Sequence, residues 1–200
     1  MPTTIVFDIG NVLLAWDMRN LFAKLAPADE LAHIIENVCP VSWHMTLDGG
    51  ACYADAIAQR VALYPQYAAL IEAYDPRWQE TIIGPIHGSV ALLEELRAVG
   101  LPTYAITNFP AEKFDETCAL YPFLQGFQGV VVSGRERMMK PDPAIFELFL
   151  ERYELAARDC VFIDDSPANI ATAKALGFTA LHFVDPQTLR ADLLALGFPV

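Results

Sequence analysis

The sequence predicts an α/β fold: a doubly wound, Rossmann-like parallel sheet interrupted by an α-helical insertion. Three observations carry this. From residue 85 onward, short apolar runs alternate with amphipathic stretches, the pattern of strand–helix–strand crossovers that builds a parallel sheet. The first apolar run, Ile5-Val6-Phe7, is cut off from the others by residues 15–80, where hydrophobic residues recur at helical spacing. Four predicted strand ends also carry polar residues, and the carboxyl edge of a parallel sheet is where such folds hold their ligands.

Each element has a local reason. Residues 3–7 form a short buried strand. Between residues 20 and 73, Phe22, Leu25, Leu31, Ile34, Ile35 and Val38 lie at helical spacing; Pro27 suits a first helical position and Pro40 ends the run. Asp48-Gly49-Gly50 is a turn signal, and residues 54–63 form an amphipathic helix. Strands are expected at 102–106, 130–133, 161–163 and 180–184. Helices are expected at 89–99, 111–120, 143–152, 169–176 and 189–196. Ser89 is the expected N-cap and Gly100 the C-terminal stop of the first of these, and Asp142-Pro143 opens the third. The domain reading is a core of 1–14 with 81–200, and a helical cap of 15–80.

Composition narrows the function. The 200 residues are 54% hydrophobic, enough for a packed core. No apolar run reaches the roughly 18 residues that span a bilayer, and the first apolar run meets Asp8 without a basic leader; the expected compartment is the cytoplasm. A net charge of −12 disfavours nucleic acid and anionic membranes as partners. A phosphate ligand would then need local cations, a metal or a helix N-terminus. Cys39, Cys52, Cys118 and Cys160 show no metal-binding spacing and read as buried free thiols.

The strand ends suggest the chemistry. Asp8 follows the first strand, Thr107-Asn108 the second, Lys140-Pro141 comes shortly after the third, and Asp164-Asp165 closes the fourth. On one sheet edge these groups converge. Asp8 and Asp165 are hard oxygen ligands suited to Mg²⁺. Lys140 offsets the acids and a phosphate dianion, Thr107 offers a hydroxyl to a phosphoryl oxygen, and Asp8 is placed to attack phosphorus. Taken singly the residues have blander readings: Lys140 as a surface lysine, Thr107-Asn108 as a turn, Asp164-Asp165 as acids favoured at a helix entry. His44 reads as a structural histidine, with reach into the site as the alternative, and Asp17 and Arg19 as loop residues.

Asp8-Ile-Gly-Asn-Val, Thr107-Asn108, Lys140-Pro141 and Asp164-Asp165-Ser-Pro-Ala-Asn169 resemble, in order, the four motifs of the haloacid dehalogenase (HAD)-like hydrolase superfamily, helical-cap type. The first motif is similar to that of the glucose-1-phosphate phosphatase and epoxide-hydrolase N-terminal phosphatase subgroup. The resemblance implies a Mg²⁺-dependent phosphatase of small phosphorylated metabolites, sugar phosphates among them. In that reading Asp8 is the nucleophile, forming an aspartyl-phosphate, and a metal ligand. The Gly10 carbonyl and Asp165 also bind Mg²⁺, with Asp164 and Asn169 in support. Thr107 and Asn108 hold the phosphoryl group and Lys140 stabilises the transition state. Most family phosphatases have an aspartate where this chain has Gly10, so the usual proton donor is missing. That gap favours leaving groups needing little protonation, such as an anomeric sugar oxygen.

Three rivals remain at this stage. A metal-free dehalogenase needs no general acid, but two adjacent acids without a cation repel. A non-catalytic binding module would also lack the acid. The first motif further resembles that of actin-like sugar and pantothenate kinases, which need a long β-hairpin next and a later glycine-rich turn. Specificity is expected in cap residues such as Trp43, His44 and Tyr53.

Overall fold

The computed structural model describes residues 2–200. The chain opens with β1 (Thr4–Phe7) and a short β2 (Leu14–Trp16). Next come α1 (Arg19–Phe22), α2 (Leu31–His33) running into a π-helical turn at Ile34–Val38, α3 (Val41–Asp48), α4 (Tyr53–Leu63) and α5 (Ala68–Glu72). β3 (Ile82–Pro85) returns antiparallel to β2. The alternation follows: α6 (His87–Ala98), β4 (Thr103–Thr107), α7 (Ala111–Leu120), β5 (Gly129–Val132), α8 (Ser133–Glu136), α9 (Pro143–Arg152), β6 (Cys160–Asp164), α10 (Pro167–Ala175), β7 (Thr179–His182) and α11 (Pro186–Ala195).

The main sheet has five strands in the order β5-β4-β1-β6-β7, and every pair in it is parallel. Buried on both faces, its strands need apolar residues at consecutive positions. Alternate residues then serve two cores. Ile5, Phe7, Ala105, Val161 and Ile163 face one side, with Leu92 and Leu96 of α6 and Leu189 and Leu193 of α11. Val6, Ile106 and Phe162 face the other, with Phe146 and Phe149 of α9 and Ile170 and Ala173 of α10. This is the doubly wound α/β architecture. The chain runs outward from β1 through β4 and β5, then crosses to β6 and β7. The carboxyl end of β1 is therefore the topological switch point, where open sheets part to admit ligands.

The helices over 111–120 and 143–152 have the expected bounds, and Asp142 caps α9 by accepting from Ala144 N at 2.9 Å. Three expectations are corrected, and one element is added. Ser89 is not an N-cap: α6 starts at His87, and the Ser89 hydroxyl is buried inside the first turn without a partner. Pro27 does not start a helix; it opens a turn, and α2 begins at Leu31. Of the cysteines only Cys39 and Cys160 are buried, while Cys118 is intermediate and Cys52 exposed. The β2–β3 ribbon was not expected. Its register shifts between Ala15 and Trp16, and so short and irregular a strand leaves no period-2 signal.

Candidate active site

Asp8 is the first residue beyond β1. Its N–H continues the ladder by donating to Ile163 O at 2.8 Å. Its Oδ1 accepts from Ile9 N at 2.7 Å and lies 2.9 Å from Lys140 Nζ, which leaves Oδ2 for a ligand. Lys140 is 1% exposed, and its Nζ also donates to Asp164 Oδ2 at 2.6 Å. The Asn108 side chain holds the Lys140 backbone from both sides: Nδ2 donates to Lys140 O, and Oδ1 accepts from Lys140 N, each at 2.9 Å. The Lys140–Pro141 peptide is cis.

Asp164 is fully engaged. Besides Lys140 it accepts from Ser166 N at 2.8 Å and from Asn169 Nδ2 at 2.9 and 3.0 Å. Asp165 is half-buried, and the nearby Asn11 side chain lowers its carboxyl against the effect of burial. The Thr107 hydroxyl is buried without a partner.

One cavity of about 440 Å³ collects most of these groups. Asp8, Gly10, Asn108, Lys140, Asp165 and Asn169 line it, whereas Thr107 and Asp164 lie behind its wall. Gly10 is in open space: a Cβ built there would meet nothing within 4 Å. A carboxylate atom from each of Asp8, Asp164 and Asp165 falls within a 4.8 Å cluster. Burial pushes Asp8 up, against the pull of Lys140, and Asp164 and Asp165 add to the rise. Burial, then Asp164, raises Asp165. Burial alone would lower Lys140, but Asp8 and Asp164 outweigh it and keep its ammonium charged. Three acids against one ammonium leave an excess of negative charge that a divalent cation would balance. Asp8 Oδ2 and the Asp165 carboxylate suit a hard cation, so the donor set fits Mg²⁺.

The helical segment forms the opposite wall. His44 and Asp48, one turn apart on α3, line the same cavity. His44 Nδ1 pairs with the Tyr74 hydroxyl at 2.8 Å, and Nε2 lies 3.3 Å from Asp48 Oδ1. With the phenol as donor to Nδ1, the ring proton sits on Nε2, facing Asp48. Burial lowers His44 to about 3 and pushes Asp48 up to about 7, with Lys140 opposing the latter. The turn after Asp48 is docked on the core: Ser133 Oγ donates to Asp48 O at 2.6 Å. A Cβ on Gly50 (φ +90°) would lie 2.7 Å from Gly134 O. Glycine permits both the backbone shape and this close approach.

Of the cap residues named from sequence, His44 lines the cavity, whereas Trp43 and Tyr53 are buried elsewhere. Asp17 accepts from Arg19 N at 2.8 Å, and neither lines the cavity. Sequence reasoning missed Asn11, Trp16, Asp48 and Trp78. The one available signal was Asp48 four residues after His44, an acid–histidine pair on a single helix face ahead of two glycines.

The profile of the haloacid dehalogenase-like hydrolases matches residues 2–177. The chain belongs to this family of hydrolases. It is 27% identical over 195 residues to the sesquiterpene phosphatase astK of Aspergillus oryzae, covering 96% of this chain and 94% of that one. It is 29% identical over 176 residues to hexitol phosphatase A of Escherichia coli, covering 87% and 76%. A HAD-family enzyme of Bacteroides thetaiotaomicron, solved with magnesium and inorganic phosphate, superposes with a TM-score of 0.76 at 20% identity, covering 92% of this chain and 96% of that one. The L-2-haloacid dehalogenase of Xanthobacter autotrophicus gives 0.64 at 16%, covering 100% and 85%. At such identities the structures speak for the fold. Among the described residues, no helix is long and apolar enough to cross a membrane.

Proposed function

We propose that this hydrolase is a Mg²⁺-dependent phosphatase of small phosphorylated metabolites, acting in the cytoplasm through an aspartyl-phosphate on Asp8. Residues 15–80 act as a cap over a core of 1–14 and 81–200. The observation that carries the reading is the cluster itself: Asp8, Asp164 and Asp165 around a buried Lys140, at the sheet's switch point. The names of the Aspergillus and Escherichia relatives support phosphate-ester hydrolysis. Against metal-free dehalogenation stands the uncompensated charge of three acids facing one lysine.

Asp8 Oδ2, Asp165 and the Gly10 carbonyl would hold Mg²⁺, with Asp164 and Asn169 fixing the loop that carries Asp165. When bound, the ion neutralises phosphoryl oxygens and the charge that develops on them. The Asp8 carboxylate attacks phosphorus, the bond from phosphorus to the ester oxygen breaks, and the leaving oxygen takes a proton. Lys140 favours the ionised form of Asp8 against the effect of burial, and the unpartnered Thr107 hydroxyl lies behind the wall on which the phosphoryl group would rest.

Asp48 provides the proton. It is the only cavity-lining carboxyl outside the Asp8–Asp165 cluster among the described residues, and its position near 7 matches a general acid at neutral pH. Ionised Asp48 then takes a proton from the water that hydrolyses the aspartyl-phosphate. The products are the alcohol and inorganic phosphate. A phosphate-release screen over phosphometabolites tests this: release with Mg²⁺ and its loss on chelation are expected, and metal-independent release would reject the reading.

A further inference from the structure

The cavity above Asp8 is polar only at its sheet end. Its remaining wall includes Leu14, Trp16, Val41, Met45, Trp78 and Phe109. His44 does not change that character. Its ring stacks on Trp16 at 4.7 Å, and its two nitrogens are turned to Tyr74 and Asp48. Beyond Asp48, the unpartnered polar atoms of this wall are the Trp16 and Trp78 indole N–H groups, and both are buried behind their rings, so the surface offered to a leaving group is apolar. Each sugar hydroxyl stripped of water there would cost about tenfold in affinity. A hydrocarbon would incur no such loss and would gain from every buried carbon.

The apolar lining also continues outward. Val41 and Met45, one turn apart on α3, line the cavity yet remain 48% and 42% exposed. Large apolar side chains left in water beside a concave site mark a surface that meets an apolar ligand. The volume of about 440 Å³ lies in the range of sites for small organic ligands.

We infer that the leaving group is an apolar alcohol, and that the site takes phosphate monoesters of alkyl or prenyl chains. The phosphate sits on the sheet edge and the hydrocarbon runs past the Trp16 and Trp78 side chains and along α3 toward Val41 and Met45. This rests on the phosphatase reading for the phosphate end alone, and it replaces the sugar expected from sequence. Such alcohols are poor leaving groups and need the proton that Asp48 holds.

Titration calorimetry of the full chain with Mg²⁺ and a series of non-hydrolysable alkylphosphonates tests it. Affinity should rise about threefold per methylene, roughly a hundredfold from butyl to octyl, and exceed that for glucose 1-phosphate and glycerol phosphate, measured on Asp8→Asn so that no turnover intervenes. Met45→Glu, at an exposed position, should weaken octylphosphonate about tenfold and the butyl analogue less. Absent or length-independent binding, or stronger binding of the sugar phosphate, overturns the inference. An equal loss at both chain lengths in Met45→Glu overturns the path along α3. Length-dependent binding with no phosphate released from any ester would leave the apolar site standing and reject the phosphatase reading instead.

Discussion

On the sheet side of the cavity, Lys140 Nζ is fixed between Asp8 and Asp164 at 2.9 and 2.6 Å, and Asn108 and Asn169 tie down the loops that carry them. On the helical side the polar link lining the cavity is His44 to Asp48, at 3.3 Å, and the indole N–H groups of Trp16 and Trp78 have no partner. One wall fixes charged atoms to within a hydrogen bond. The other presents shape and apolar area. Phosphoryl transfer needs the first kind of wall, because misplaced charge loses its effect on the transition state. Choosing a leaving group needs only the second, where contact area sets affinity.

The largest expected effect breaks the sheet side alone. Asp8→Asn keeps the shape but offers an amide in place of a nucleophile. Phosphate release should fall by at least ~10⁴-fold in steady-state assays. Turnover within a hundredfold of the parent would move the nucleophile elsewhere.

Lys140→Met comes next. It leaves the Asp8 and Asp164 carboxylates buried without their cation, and losing one partner of a buried pair costs about 3–5 kcal/mol. Urea denaturation should show that deficit, together with lost turnover. Burial raises Asp8 in the folded state, so protons bind the folded form first and acidification should shrink the deficit. A deficit under about 1 kcal/mol would mean that the pair is not what holds these loops.

This contrast also explains what was legible in the sequence. Asp8, Lys140 and Asp164-Asp165 could be read because a strand end is a local signal: an apolar run stops and a polar residue follows. The sheet then brings the four ends together by topology alone. Asn108 could be placed at the site, but not its side-chain bonds to the Lys140 backbone, since spacing does not show where an amide points. The helical wall was mostly illegible. Trp16, on β2, and Trp78, in the single helical turn before β3, lie 62 positions apart, and elements so short betray no period. Trp43 and Tyr53 drew notice as aromatic residues, yet they pack elsewhere, because aromatic residues mark a core as readily as a site.

Asp48→Asn tests the helical wall's single chemical contribution. Without a proton donor, kcat should fall about 10²–10³-fold. The pH profile is the sharper measure. The donor form disappears as pH rises through about 7, so the parent should lose activity above that point. The variant should lose that alkaline limb while retaining Mg²⁺ affinity by calorimetry. An unchanged alkaline limb would assign it to a group on the sheet side.

The smallest effect asks whether the division between the walls is fixed. Gly10 has no positive φ and open space where a Cβ would sit, so Gly10→Asp should cost little stability and place a second carboxyl beside Asp8. In the parent, with Asp48 already donating, kcat should change by less than about threefold. In Asp48→Asn the same substitution should restore about tenfold, because one donor suffices and the second position is vacant. The double-mutant cycle carries the information: non-additivity means that both carboxyls serve one step from opposite walls. A tenfold gain in the parent itself would show proton transfer still limiting with Asp48 present, and Asp48 would then be a structural partner of His44 and not the acid that stands in for Gly10.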